Sequence, residues 1–373
     1  MSPADRETLD SAVLAWMAEP DWRPDPNRFD ALALALFRFQ YAACPAYGRY
    51  CDAYERHPDA VAEADAIPAV PTGAFKEFAL RCFPAEATRH TFRTSGTTTE
   101  RRGELHLDTL LLYETSLLAS LRHCFLTDLC GTRPRMRFLA PPPEEAPDSS
   151  LTHMFATLAA AEGHPESGFD FTPREGLALD ALARAIAAAR AEGSPIVLGG
   201  TSFAFVHLLD ATRSDAPSTW SLPPGSRLVE TGGFKGRSRE IPRERLRTEL
   251  AERFALPERA IVNQYGMTEL GSQFYDSTLV DPIGPRRKLV PPWSRVRLVD
   301  PDSGRDVATG AVGMIVIHDL ANTGSVAAVQ TADLGRAVAD GFEVLGRAEG
   351  AEQRGCSIAA DAALAAADGR GGH

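Results

Sequence analysis

Several signatures of common chemistry are missing from these 373 residues. There is no CxxC pair, no HExxH and no paired Cys/His spacing, which excludes the usual zinc sites. The Walker loop GxxxxGK(S/T) and the dinucleotide fingerprint GxGxxG are absent as well. No uncharged apolar run approaches the roughly 18 residues of a membrane-spanning helix, so no membrane insertion is expected. Positive charge is in deficit: 39 Lys and Arg face 50 Asp and Glu, a net charge of −11. Such a surface does not capture nucleic acid or anionic lipid non-specifically, although a local basic loop can still meet a small anion. Cysteine is scarce, with only Cys44, Cys51, Cys82, Cys124, Cys130 and Cys356, and their spacing is not that of a disulfide framework. The opening MSPADRETLDSAVLAWMAEP lacks both a basic n-region and an unbroken apolar core, so it reads as a helix and not as a signal peptide. A reducing, cytoplasmic setting is the expectation.

What is present is an ordinary globular composition, 44% apolar and 24% charged, long enough for two domains or one large domain with an appendage. Residues 1–80 read as a helical flank, with DALALALFRFQYAA from Asp30 and PTGAFKEFALRCF from Pro71 as its strongest helical segments. From Thr91 strands and helices alternate. HTFRTSGTT is β-rich, and a helix from Asp108 puts Leu110, Leu117, Leu118 and Leu121 on one face. RMRFLA, SPIVLGGTS, SRLVETGG and AIVNQYG read as strands separated by helices, which predicts a mostly parallel α/β core over residues 81–290. Ligands of such sheets bind at the carboxyl ends of the strands. Residues 291–350 form a β-rich subdomain, with RVRLVD, GMIVIHDL and FEVLGR as strands, and residues 351–373 are an Ala-rich tail.

Three segments carry chemistry. In Arg93-Thr94-Ser95-Gly96-Thr97-Thr98-Thr99, one glycine and a run of hydroxyls suit a loop that wraps donors around phosphate oxygens, although taken alone it also fits a plain turn. In Tyr265-Gly266-Met267-Thr268-Glu269, just after a strand, Tyr265 offers a ring to a base, Thr268 a hydroxyl to a phosphate and Glu269 a carboxylate to Mg²⁺; a half-buried strand end with Glu269 in water fits equally well. In Thr331-Ala332-Asp333, Asp333 is an acceptor suited to ribose hydroxyls, or simply a turn cap, while Arg347 can reinforce the sugar or phosphate end.

In this order the three segments resemble the adenylate-forming superfamily of acyl-CoA synthetases, carrier-loading domains and firefly luciferase. Thr94, Ser95, Gly96, Thr97 and Thr98 look like its phosphate loop, YGMTE like its adenine and magnesium motif, TAD like its ribose-binding TGD, and Gly346-Arg347 like the start of its hinge. The resemblance spans Arg93 to Ser357 and implies the adenylate-forming large-domain fold, ATP and Mg²⁺, and activation of a carboxylate with release of pyrophosphate. It also implies that Gly232 and Gly233 line adenine and that His153 lies at the acyl gate; a packed core histidine is the plain alternative. Two departures stand out. The superfamily continues beyond its hinge into a small lysine-bearing domain, whereas this sequence ends 26 residues after Arg347. TSGTTTERRGE also lacks the loop's usual lysine and offers Arg101 and Arg102 instead. Lys235 in GGFKGR is a cation that either meets a phosphate, partly replacing the missing lysine, or stays solvated.

TGGFKGR, YGMTELGSQFYD and GRAEGAEQRGCS narrow the resemblance to the LuxE-type acyl-protein synthetases. That resemblance implies that Cys356, near the C-terminus, takes the acyl group from the adenylate as a thioester and passes it to an acyl reductase or another acceptor protein, with a fatty acid as substrate. A thiolate is a strong nucleophile toward an acyl phosphate anhydride, and Arg354 favours the thiolate while Glu349 and Glu352 oppose it. The other five cysteines read as structural, Cys124 and Cys130 most plainly. Two rival readings remain: an acid:CoA or acid:carrier-protein ligase with an external thiol, and a nucleotide-binding subunit without chemistry.

Overall fold

The first helix begins where an acidic side chain satisfies a free backbone donor. Asp5 accepts from Thr8 N at 2.8 Å and α1 runs Arg6–Met17; Asp25 does the same for α2 (Pro26–Ala43), whose first residue is a proline. α3 (Pro45–Ala53) completes the helical start. The computed structural model describes residues 5–94, 101–172, 174–232 and 242–348. It divides into two compact units, one of residues 1–119, 267–274 and 287–373, the other of residues 120–266 and 275–286.

The helix expected from Pro71 is not there. Val70–Pro71 forms a short strand β1, and only Ala74–Glu77 is helical. The backbone there is committed to the sheet: Val70 and Pro71 pair with Val329 and Gln330, and Thr72 N bonds to Gln330 O at 3.1 Å. β2 (His90–Arg93) and β3 (Glu104–Leu107) then pair antiparallel, with Arg93 opposite Glu104 at the open end. The helix expected from Asp108 is α4 (Leu111–Cys124). Leu117 and Leu121 are buried as expected, but their companions on the buried face are Leu112, Tyr113 and Ser116 rather than Leu110 and Leu118.

The second unit has the strand–helix alternation that the sequence predicts. In chain order it contains β4 (Arg135–Leu139), α5 (Ser150–Glu162), β5 (Gly168–Phe169), α6 (Leu179–Glu192), β6 (Ile196–Thr201), α7 (Ser202–Ala211), β7 (Arg227–Thr231), α8 (Arg243–Phe254) and β8 (Ile261–Tyr265). These strands are parallel in the order β8-β7-β6-β4-β5. They bury residues on both faces, as a sheet covered by helices must. Gly199 on β6 shows how tight the packing is: a Cβ there would lie 2.8 Å from both the Phe138 and Phe155 rings, which stack at 4.5 Å.

The chain then returns to the first unit as a meander: β9 (Lys288–Leu289), β10 (Ser294–Val299), β11 (Val312–Asp319), β12 (Ala328–Val338) and β13 (Gly341–Arg347). The sheet order is β9-β13-β12-β11-β10, all antiparallel, with β1 added parallel to β12. The eleven-residue β12 was not expected. Its sequence AVQTADLGRAV has no clean alternation, and a register shift between Leu334 and Gly335 interrupts its pairing with β13. Among the described residues no helix is long and apolar enough to cross a membrane.

Candidate active site

In the first unit the hydroxyl-rich loop is closed at its base by a two-bond neck. Thr94 N donates to Gly103 O at 2.9 Å, and Gly103 N donates to Thr94 Oγ1 at 2.9 Å. Arg102 Nε adds a bond to Thr94 O at 2.5 Å. The β2–β3 pairing imposes this geometry, because Arg93 and Glu104 are register partners one step below. Ser95, Gly96, Thr97 and Thr98 lie outside the described residues.

Glu269 comes to the same neck. A Cβ on Gly103 would be 3.1 Å from Thr94 Cγ2 and 3.5 Å from both Glu269 Oε1 and Thr94 Oγ1, so the glycine leaves a small cradle edged by a carboxylate and a hydroxyl. Glu269 is only 6% exposed and Thr268 is also buried, which removes the reading of Glu269 as a solvated strand end. The segment Met267–Phe274 is held at two points. Asn322 Nδ2 donates to Glu269 O at 2.8 Å, and the Asp319 carboxylate accepts from Ser272 N and Ser272 Oγ, both at 2.7 Å. Burial pushes the Asp319 carboxyl above its ordinary range, and the donors from Ser272 and Ala321 oppose that shift.

Beside the hairpin opens a cleft of about 470 Å³, rimmed by Lys76, Arg93, Arg101 and Arg102 with Glu104 and His106, over Phe75 and Phe78. Arg93 pairs with Glu104 at 2.8 Å and Arg101 with Glu77 at 3.0 Å, so the cations outnumber the carboxylates around it. Burial lowers the His106 pKa and keeps this ring from adding to the positive charge.

Asp333 is not before a turn; it lies inside β12. Thr331 Oγ1 donates to Ile315 O at 2.9 Å and accepts from Asp333 N at 3.1 Å, which fixes the backbone there. Arg347 is its register partner on β13, with Nε 3.9 Å from Asp333 Oδ1. The arginine side chain is 67% exposed and the aspartate 20%, so the pair lies at the surface of the sheet.

In the second unit a polar network crosses the carboxyl ends of three adjacent parallel strands. The Glu230 carboxylate, 4% exposed, accepts from Asn263 Nδ2 at 2.7 Å and from Ser202 Oγ. Ser202 Oγ also lies 3.1 Å from Gly232 O, and Thr231 Oγ1 bonds to the Gln264 side chain. Gly232 has φ +90°, a turn that favours glycine. Tyr265 and Gly266 follow at the end of β8, half-buried, and His153 is half-buried on α5. Gly233, Lys235 and Cys356 lie outside the described residues. Of the remaining cysteines Cys44, Cys51, Cys82 and Cys124 are buried; Cys130 is exposed, so the buried structural role expected for it does not hold.

Sequence reasoning missed Gly103, Glu230, Ser202, Asn322 and Gln40. Only the charged Glu230 within the apolar strand of SRLVETGG left a trace in the sequence.

Comparison with known proteins gives four likenesses. The family model described as "Acyl-protein synthetase, LuxE" matches residues 159–365. The long-chain-fatty-acid–luciferin-component ligase of Aliivibrio fischeri is 23% identical over 329 residues, which are 86% of this chain and 83% of that protein. Among solved structures, an open conformation of 2-hydroxyisobutyryl-CoA ligase with 2-HIB-AMP and CoA aligns with TM-score 0.63 at 15% identity, over 88% of this chain and 76% of that one. The same enzyme in its postadenylation state with 2-HIB-AMP gives 0.64 at 16%, over 88% and 70%. The last two establish a shared fold.

Proposed function

Since the chain belongs to the acyl-protein synthetase family LuxE, we propose that it uses ATP to activate a carboxylic acid as an acyl-adenylate and then holds the acyl group on its own Cys356. The observation that carries this reading is the buried Glu269 carboxylate at Gly103 and Thr94, beside the neck of a hydroxyl-rich loop. The donor set fits a magnesium ion accompanying a nucleotide. One carboxylate and phosphate oxygens make a usual Mg²⁺ shell, and among the described residues no cluster of three or more His, Cys, Asp or Glu competes for a metal. When bound, the ion supplies charge neutralisation on the phosphates.

The rest is the work of the chain's own residues. Ser95, Gly96, Thr97 and Thr98 with Thr94 and Lys235 donate to the phosphates, Asp333 and Arg347 take the ribose side, and Gly232, Gly233, Tyr265 and Gly266 line the base. Thr268 gives a further hydroxyl, and His153 stands at the acid's entrance. The substrate carboxylate oxygen bonds to the α-phosphorus as pyrophosphate leaves; the Cys356 sulfur then bonds to the acyl carbon as AMP leaves, and the thiol proton passes to solvent. The Aliivibrio fischeri relative is named for a long-chain fatty acid, which makes fatty acids the first substrates to try; an acyl reductase is the acceptor we propose to try first.

Acid-dependent ATP–pyrophosphate exchange tests the first half-reaction. Wild type and Cys356→Ala exchange with the cognate acid and Glu269→Gln does not. Transfer to CoA or a carrier protein by Cys356→Ala moves the acceptor outside the chain, and ATP binding without exchange for every acid removes the chemistry.

A further inference from the structure

The helical flank at the start of the chain has no part in the chemistry set out above, yet one of its residues reaches the segment that carries Glu269. Gln40 lies on the buried face of α2 among Phe29, Leu36 and Phe37, and it is itself buried. An amide in such a place is unfavourable unless it is fully bonded. Gln40 Nε2 donates to Asn322 O at 2.8 Å and Thr323 O at 3.3 Å, and its Oε1 accepts from Ala327 N at 3.0 Å. One side chain therefore grips both arms of the turn between β11 and β12.

The turn in turn grips Glu269. Asn322 Nδ2 donates both to Glu269 O at 2.8 Å and, across its own turn, to Val326 O at 3.1 Å. Close approach is built in at Gly271, where a Cβ would lie 2.9 Å from Ala321 Cβ and 3.1 Å from Ala321 C. With its carbonyl held on one side, Glu269 presents its carboxylate to Gly103 and Thr94. A carboxylate placed to within a fraction of an ångström needs such support, because a group left to swing loses much of its effect on a bound charge.

We propose that Gln40 and Asn322 are positioning residues that fix the main chain at Glu269, so that helix α2 sets the aim of that carboxylate through two buried amides. The metal role of Glu269 rests on the adenylation reading; the fixing of its backbone does not. Neither amide touches substrate, and neither is a catalytic residue.

The test uses the full chain with Asn322→Ala, Gln40→Leu and, against failure to fold, the milder Asn322→Ser and Gln40→Met. Hydrogen–deuterium exchange reads the segment directly: amides of residues 268–272 exchange about tenfold faster in the variants, as expected for one lost buried hydrogen bond, while β11 keeps its protection. Calorimetry of ATP with and without Mg²⁺ reads the consequence, a several-fold loss of affinity confined to MgATP. Unchanged exchange over residues 268–272, or loosening spread evenly over the first unit, overturns the proposal. If Glu269→Gln leaves the ratio of MgATP to ATP affinity untouched, the metal assignment fails, and the exchange measurement still decides whether the two amides hold the segment.

Discussion

Acid should unfold this protein partly through a histidine remote from the candidate site. His318 lies on β11, on the same face as Met314 and Val316, fully buried, and its Nε2 has no hydrogen-bond partner among the described residues. Burial, followed by Arg297, lowers its pKa from 6.5 to about 4; Arg295 adds to the effect and Asp65 opposes it. The folded state therefore refuses a proton that the unfolded chain takes up below 6.5. The associated stability is complete above 6.5 and is lost as pH falls toward 4, about 3 kcal/mol in all and about 2 kcal/mol between pH 7.5 and 5. Asp319 works in the opposite sense, because its raised carboxyl pKa makes protonation easier in the folded state. The clean comparison is therefore wild type against His318→Leu, which keeps Asp319 and the apolar face. Urea unfolding followed by tryptophan fluorescence at pH 7.5 and 5 should show the variant losing about 2 kcal/mol less than wild type on acidification. Equal losses in the two proteins refute the reasoning.

Three further substitutions follow from the same kind of accounting. Glu230→Ala removes the carboxylate to which Asn263 Nδ2 and the buried Ser202 Oγ donate, while Ser202 Oγ keeps Gly232 O at 3.1 Å, and should destabilise by about 1–3 kcal/mol, whereas Glu230→Gln keeps an oxygen for Asn263 and recovers most of that in urea unfolding. Asp319→Ala strips the acceptor from Ser272 N, Ser272 Oγ and Ala321 N, and should cost about 3–5 kcal/mol together with faster hydrogen exchange around Ser272. Gly271→Val drives a branched side chain into Ala321 and should destabilise by about 1–3 kcal/mol while weakening MgATP binding, measured by thermal unfolding and calorimetry.

The parallel core was legible because each strand of RMRFLA, SPIVLGGTS, SRLVETGG and AIVNQYG is a short apolar run closed by a helix or glycine turn, and burial on both faces requires that pattern. β12 was not, since its polar Thr331, Asp333 and Arg336 make it read as loop; its pairing with β11 and β13 supplies what its own pattern lacks. On α4, Ser116 takes a core position that a hydrophobicity reading gives to leucine, because Trp293 Nε1 and Ser272 Oγ are there to bond it. The site divides the same way. Thr94 and Glu269 were found from motif order, and the structure adds their common neighbour Gly103. Gln40 was hidden inside DALALALFRFQYAA, where nothing local separates it from a solvated glutamine. Its partners lie 282 or more residues away.

The central claim is that the chain acylates itself, and intact-protein mass measures this directly. After incubation with ATP, Mg²⁺ and a panel of fatty and aromatic acids, wild type should gain the mass of one acid molecule less one water, removable by neutral hydroxylamine, and Cys356→Ala should gain nothing. No gain for any acid, or a hydroxylamine-resistant gain that persists in Cys356→Ala, contradicts the account.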